Sequence, residues 1–562
     1  MAGITDSMSL RDYQIQADQE IDAAYAAGHR NVLLVMPTGA GKTVSVAHRI
    51  KKHSGASVFI AHRSELLGQA SRTMAARGIR HRIIAPDSTI KHIIQSQIRL
   101  LGRDFYDPSS QCAVAGVDTL ISPSRQTGLK RWADQVSLWI TDEAAHIVFE
   151  NKWGKALKMF PNAIGLGVTA TPLRSDGKGL GRHADGPFDC MVIGPNMRSL
   201  IDRGYLTDYR IFCPPSNLDL TDVPTGSDGD YVRKQLSLKT RSSDIMGHVV
   251  DSYLKIAPGK LGLTFAPDVE TATEFSKMFN DAGVPAEVLT GKTPDQLRVE
   301  VMRRFEAGAI KQLVSCDLFG EGLDIPAVEV VSMARATESY GLYVQQFGRA
   351  VRLQDGKLKA IIIDHVSNVL RHGLPDAPRE WTLDRRERRS SRPKDDVIPM
   401  RVCLNPVCLA PYERVLLACP FCGTIPVPQG RSTPEMVDGD LYELDPAVLA
   451  QMRGAVQAVD RHPDEVLRAM QRAGHGYPVA KGAANQHEAR QRAQTVLREA
   501  MALWGGYQQA MGRSMSEAQR RWWHRYGVDV LSAQALGRPD AEALTAKVTA
   551  DICKLDEDLR CR

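Results

Sequence analysis

Two stretches of the sequence carry residues whose types and spacing suit phosphate chemistry. The first, MPTGAGKT at 36 to 43, follows the apolar run NVLLV and precedes VSVAHRI. A glycine loop between a strand and a helix turns backbone N–H groups and a helix N-terminus toward an anion. Pro37, Thr38, Gly39, Ala40 and Gly41 are therefore a candidate phosphate cradle, Lys42 reaches the β and γ phosphates, and the Thr43 hydroxyl suits Mg2+. Met36 stands where the strict motif has glycine, while Gly39 and Gly41 still free the loop. The second stretch, SLWITDEAAH at 137 to 146, puts Asp142 and Glu143 directly after a strand-like run. Alone, such a pair also fits a surface turn. Beside a phosphate loop, Asp142 would help hold Mg2+ and Glu143 would orient the attacking water.

Other residues extend this site. In VTATP, 168 to 172, the Thr169 and Thr171 hydroxyls either link the phosphate site to movement or only cap a turn. Upstream, RDYQIQA supplies Arg11 and Gln14, whose amide can both donate to and accept from an adenine edge. In YVQQFGRAVR, 343 to 352, Gln345, Arg349 and Arg352 fall at i, i+4 and i+7 on one helical face, which leaves Leu342, Phe347 and Val351 to pack elsewhere. FGEGLDIP, 319 to 326, reads as a strand-end loop whose Gly320 and Gly322 allow close backbone approach. Cys403, Cys408, Cys419 and Cys422 have the paired spacing of a four-thiolate Zn2+ ribbon. The rival is redox chemistry at CPFC, and the second cysteine pair, with no βαβ unit around it, favours zinc. In AQRRWWHRYG, 518 to 527, aromatic and basic residues interleave, either to stack bases or as the buried stripe of a helix.

These groups need a scaffold to bring them together. From residue 31 to about 171 short apolar runs alternate with helix-like stretches, and the rhythm resumes with LGLTFA, AEVLT, QLVSC, VEVVSMA and KAIIIDH. That is the pattern of an α/β chain with two doubly wound parallel sheets. A basic, strand-free linker is expected over 371 to 401, a zinc ribbon over 402 to 430 and a helical region over 431 to 562. Helix starts are signalled by Asp445 with Pro446 and by the capping-box spacing of Ser514 and Glu517.

In their order along the chain these motifs resemble superfamily 2 helicases and translocases, from the glutamine motif to motif VI, over roughly residues 8 to 370. The resemblance implies a RecA-like ATP-binding lobe over 1 to 205, a second RecA-like lobe over 206 to 370, ATP with Mg2+ in the cleft, and nucleic acid across the top. Carried over, Gly322, Asp324 and Gln345 join the nucleotide site, while His62, Arg63, Thr119 and Phe265 contact nucleic acid. Where the family has DEAD or DEAH, this chain has Ala145 at the fourth place and His146 one place later. The stretches DEAAH, ATPLRSDGKGLG and IDHVSNVLRHGLP resemble the bacterial and phage branch related to repair and restriction motors, which favours DNA over RNA. The leading expectation is an ATP-dependent DNA helicase or translocase. The alternatives are a duplex translocase that does not separate strands, an RNA helicase, and a nucleic-acid-binding scaffold without catalysis.

Composition agrees with a multidomain globular protein. With 562 residues, roughly three to four domains are expected. Apolar residues make up 43% and charged residues 24%, and no apolar run is long enough to span a bilayer. The first twenty residues lack a basic start followed by an apolar stretch, and the scattered cysteines suit a reducing compartment, so a cytoplasmic setting is expected. A formal charge of +6 permits a polyanionic partner without requiring one. The densest basic run, RRERRSSRP at 385 to 393, reads as a phosphate grip or as a solvated linker.

Overall fold

The computed structural model describes residues 10 to 426, apart from 175, 227–228, 244, 317–327, 378, 380 and 386–398, and residues 454 to 560 apart from 455. Gly320, Gly322, Asp324, the basic run 385 to 393 apart from Arg385, and the Asp445–Pro446 helix start lie outside the described residues.

The first lobe is a sheet of β1 (Asn31–Val35), β2 (Ala56–Ala61), β3 (Arg82–Ile84), β4 (Cys112–Gly116), β5 (Val136–Thr141), β6 (Ile164–Thr169) and β7 (Cys190–Ile193). Their order is β3-β4-β2-β5-β6-β1-β7, and every pairing is parallel. The second lobe holds β8 (Tyr209–Phe212), β9 (Gly262–Phe265), β10 (Ala286–Val288), β11 (Gln312–Ser315), β12 (Val330–Met333) and β13 (Ala360–Asp364), ordered β10-β11-β9-β12-β13-β8 and again parallel. The chain therefore has two RecA-like sheets. Parallel neighbours that are not consecutive require crossover connections, which the intervening helices supply.

Both sheets are buried on two faces, which explains the unbroken apolar runs; β2 and β9 are buried at every position. Two glycines of β6 make room for large rings. A Cβ on Gly165 would lie 1.9 Å from Trp139 Cζ2, and one on Gly167 2.3 Å from Phe188 Cζ. Because all strands of a lobe run one way, their C-terminal ends share one edge, where ligands of such sheets bind. Met36, Ala170 and Asp142 follow β1, β6 and β5 on that edge, in adjacent positions.

The stretch expected as a linker from residue 371 is more tightly held than its composition suggests. Trp381 and Leu383 join the first lobe's core, and the Leu383 carbonyl accepts from the Leu180 and Gly181 amides at 2.9 Å each. A third, two-stranded sheet pairs β14 (Met400–Val402) with β15 (Pro411–Glu413). Beyond it the described chain is helical: Pro463–Arg472, Tyr477–Ala510, Met515–Tyr526, Val530–Ala533 and Arg538–Arg560. Ser514 caps its helix as expected, accepting from the Glu517 amide at 3.2 Å.

In that helical region Trp522 of the Trp-rich stretch is core. Trp522 is buried against Trp504 and Tyr526, Arg525 pairs with Asp551 at 2.7 Å, and Arg521 pairs with Glu517 at 2.9 Å. Arg520 donates to the Val415 carbonyl at 2.5 Å and Arg521 also pairs with Glu413, so this helix seats the cysteine ribbon. The base-stacking alternative for Trp522 is thereby set aside, because its ring has no exposed face. Among the described residues, no helix is long and apolar enough to cross a membrane.

Candidate functional site

Helix α2 (Lys42–Lys52) starts directly from the phosphate loop, with Gly41 as its N-cap. Gly39 and Gly41 have φ of 86° and 79°, in the left-handed region that a side chain disfavours. A Cβ on Gly41 would meet Gln14 Nε2 at 2.6 Å. The Lys42 ammonium donates to the Met36 and Pro37 carbonyls at 3.2 and 3.3 Å, inside the loop it is expected to serve. Burial lowers its pKa, and the Asp142 and Glu143 carboxylates oppose that shift while Arg352 and Arg349 add to it. One ammonium therefore feels the acidic pair of the first lobe and both arginines of the second.

Helix α1 (Asp12–Ala26) positions the upstream pair. Gln14 differs from its expected use as an adenine reader: Nε2 donates to the Ala40 and Gly41 carbonyls at 3.1 and 3.2 Å, and Oε1 accepts from the Arg11 amide at 2.9 Å. Both amide protons are spent on the loop backbone. Arg11 lies 4.8 Å over the Tyr205 ring and donates to the Tyr13 hydroxyl, which itself donates to Ala40 O at 2.8 Å. Tyr13 and Tyr205 were not legible as site residues. The signal available was the aromatic and basic run RGYLTDYR that follows the first lobe's last helix.

Asp142 is buried, and its Oδ1 accepts from the Glu143 amide at 2.9 Å. Glu143 adopts a left-handed backbone (φ 51°), an unusual conformation for a residue with a long side chain. Thr169 and Thr171 bond to one another, Thr169 Oγ1 to the Thr171 carbonyl at 3.0 Å, and they lie between the loop and the acidic pair. Where the family's motif has a polar fourth side chain, Ala145 contributes its carbonyl, which accepts from Arg174 Nη1 at 2.8 Å. The strand-end region of β6 is thus tied to the acidic motif through main chain. Arg174 itself was missed from the sequence, because its partner is a backbone atom that no residue type advertises.

The second lobe approaches through the helix Tyr340–Gly348. Gln345 Nε2 donates to Glu143 Oε2 at 3.2 Å, and Arg298 pairs with Glu65 at 2.6 Å, also between lobes. Gly348 lies so close to the loop that a Cβ there would sit 2.6 Å from Thr38 Cβ. Arg349 is 5% exposed and, with Arg352, follows that helix. The structure thus brings Lys42, Asp142, Glu143, Gln345, Arg349 and Arg352 together, with Pro37, Thr38, Ala40 and Thr43 in the same loop and helix start.

The expected nucleic-acid contacts separate. His62 and Arg63 follow β2, and Arg63 Nε donates to His62 Nε2 at 3.2 Å. The His62 ring meets His146 edge-on at 5.6 Å and Trp153 at 5.9 Å. Thr119 sits in the short helix Val117–Leu120 after β4, on the same edge. Phe265 is a correction. It is 1% exposed at the end of β9, so its ring belongs to the core and offers nothing to a polymer.

The Sγ atoms of Cys403, Cys408, Cys419 and Cys422 all lie within 4.8 Å of one another. Tetrahedral zinc at about 2.3 Å from each sulfur would set them about 3.8 Å apart. Cys403 Sγ and Cys422 Sγ are 3.4 Å apart, well beyond a disulfide bond of about 2.05 Å. The donor set fits one Zn2+ with a structural role, closed by four thiolates. Chelation of purified protein at neutral pH is expected to release one zinc per chain and to lower the melting temperature of the ribbon and its attached helix, with no effect on nucleotide binding. Metal analysis with thermal melting checks this; a reversible Cys419–Cys422 disulfide and no zinc would favour the redox alternative.

Two family models match this chain: Type III restriction enzyme, res subunit, over residues 7–174, and Helicase conserved C-terminal domain over 246–354. A 51.5 kDa protein of Lactococcus phage (isolate 7-9) is 28% identical over 394 residues, 70% of this chain and 77% of that protein. IRC3 of Saccharomyces cerevisiae, named as a candidate ATP-dependent helicase, is 27% identical over 376 residues, 64% of this chain and 51% of its own length. The DNA 3'-5' translocase XPB2 of Sulfurisphaera tokodaii is 25% identical over 413 residues, 65% of this chain and 83% of that protein. The chain thus spans about three quarters of the phage relative and about half of the yeast one.

Proposed function

We propose, since this chain belongs to superfamily 2 of the helicases and translocases and is an ATP hydrolase of that class, that it works as a motor on DNA, coupling closure of its two lobes on ATP to movement along a strand. The observation that carries the reading is the hydrogen bond from Gln345 to Glu143, with Arg349 and Arg352 held near the phosphate loop on the return that follows the same helix. Hydrolysis then requires both lobes. ATP would lie with its phosphates on the loop amides and Lys42, and a bound Mg2+, held through Thr43 and Asp142, would neutralise charge between the β and γ phosphates.

Within this reading each side chain has one task. Gln14 and Tyr13 fix the loop through Ala40 and Gly41. Glu143 orients water, Gln345 orients Glu143, and the arginines stabilise charge on the transferred phosphoryl group. Gly322 and Asp324 are proposed, from the family resemblance, to complete the nucleotide side, and His62, Arg63 and Thr119 the polymer side, because β2 and β4, which they follow, end on the same edge of the first lobe's sheet.

DNA is favoured over RNA by the names of relatives such as XPB2 and by the restriction-enzyme family model. A cytoplasmic setting accompanies the reading, as none of the described cysteines is in a disulfide. Movement with strand separation and movement along an intact duplex are distinguished by two assays run together. Displacement of a paired strand from forked DNA supports a helicase, and displacement of a triplex-forming strand from duplex DNA without unwinding supports a duplex translocase. Neither activity in a protein that hydrolyses ATP would contradict the motor.

A further inference from the structure

We propose that Lys357 is a positioning residue, the clamp that holds the arginine-bearing turn of the second lobe against the cleft; this rests on the motor reading above. After the helix Tyr340–Gly348 ends, Arg349 and Arg352 lie on a short return whose backbone must be fixed for their guanidinium groups to reach across to the phosphate loop. Carbonyls on such a return, outside helix and strand, need donors from elsewhere. Lys357 supplies one. A tight turn, with Lys357 N donating to Gln354 O at 3.1 Å and Gly356 at φ 78°, brings the lysine back over the helix end.

The Lys357 ammonium donates to the carbonyls of Ala350, Arg352 (2.9 Å) and Val328 (2.8 Å). These three contacts use all three of its protons. Two of the carbonyls bracket Val351 and belong to the arginine-bearing return. The third, that of Val328, lies just before β12, so a single side chain ties the approach to that strand to the arginine-bearing return. Thr207 closes the return from the other side: its amide donates to Val351 O at 2.8 Å and its hydroxyl to Arg352 O at 3.2 Å. No carboxylate takes the ammonium in an ion pair among the contacts described. Glu329, whose charge acts on it, is itself paired with Lys260 at 2.6 Å. The cation therefore serves backbone oxygens, and its position is set by the arginine turn.

This arrangement makes the clamp sensitive to pH. Burial, and to a lesser degree the Arg352 charge, lower the Lys357 pKa to about 8, with Glu329 opposing the shift. Below that pH the ammonium holds three carbonyls; above it the neutral amine has two protons and no charge, so one carbonyl loses its donor and the others weaken. Turnover should fall as pH rises through about 8. Lys42 also has a lowered pKa, so the wild-type profile alone does not assign the fall. A guanidinium at position 357 does assign it, because it stays charged to a pH above about 12 while Lys42 is unchanged.

The test measures steady-state ATPase from pH 7 to 10 with and without duplex DNA for wild type, Lys357→Met and Lys357→Arg, alongside nucleotide affinity. Lys357→Met should lower kcat on the order of 10²-fold at pH 7, as expected when a catalytic group is displaced by about an ångström, with nucleotide affinity within about threefold. Lys357→Arg should recover much of that turnover and lose the fall near pH 8. Wild-type turnover in Lys357→Met, or an unchanged alkaline fall in Lys357→Arg, overturns the proposal. Should Lys357→Met not fold, the Lys357→Arg profile decides alone. If wild type shows no stimulation by DNA, the motor reading fails separately, and the same pH series on basal ATPase still tests Lys357.

Discussion

Arg349→Ala and Arg352→Ala should each cut polymer-stimulated ATP turnover by on the order of 10³-fold while changing nucleotide affinity by about tenfold or less. The two arginines belong to the second lobe and the phosphate loop and Glu143 to the first. Negative charge builds on the transferred phosphoryl oxygens only in the transition state, so a guanidinium aimed there acts on kcat far more than on binding. Arg349 is buried beside the loop, and Gly348 before it allows the helix to approach Thr38 closely enough for this. Single-turnover hydrolysis and equilibrium binding of a fluorescent nucleotide separate the two effects. Near-normal turnover in both variants would mean that the lobes do not share one active site.

Lys42→Ala should abolish measurable turnover, with a loss of on the order of 10²-fold or more, since removal of a charged group from a preorganised phosphate site has that size of effect. The variant should fold normally. Among the described residues the ammonium donates to the Met36 and Pro37 carbonyls at 3.2 and 3.3 Å, bonds whose loss leaves the loop held by Gln14 and Tyr13. A folded Lys42→Ala protein with unchanged polymer-stimulated ATPase would remove the loop from the mechanism.

The parts that were legible in the sequence are those fixed by local spacing. Apolar runs buried on both faces announced two parallel sheets, a glycine loop between strand and helix announced an anion site, and paired cysteines announced a cluster whose sulfurs lie within 4.8 Å of one another. Gln345, Arg349 and Arg352 were expected on one helical face; the helix ends at Gly348, so only Gln345 lies on it and reaches Glu143, while the arginines follow on a return. What the spacing did not carry were partners on the backbone. Gln14 binds loop carbonyls, Arg174 binds the Ala145 carbonyl and Lys357 binds three carbonyls, and a carbonyl has no residue type. Phe265 failed for a related reason: in a strand buried at every position, alternation gives no sign of which side chain would open to a polymer. The Trp522 region was ambiguous because basic residues interleaved with aromatics look alike whether they meet phosphates or, as here, Asp551 and Glu517.

The central claim is that one ATP site, built from both lobes, is driven by DNA. The measurement that tests it most directly is the ATPase rate of the purified wild-type protein with no polymer, single-stranded DNA, duplex DNA, forked DNA and RNA at matched nucleotide concentration. The account predicts slow basal hydrolysis, a large increase with at least one form of DNA and little with RNA. Equal rates in all five conditions would contradict it.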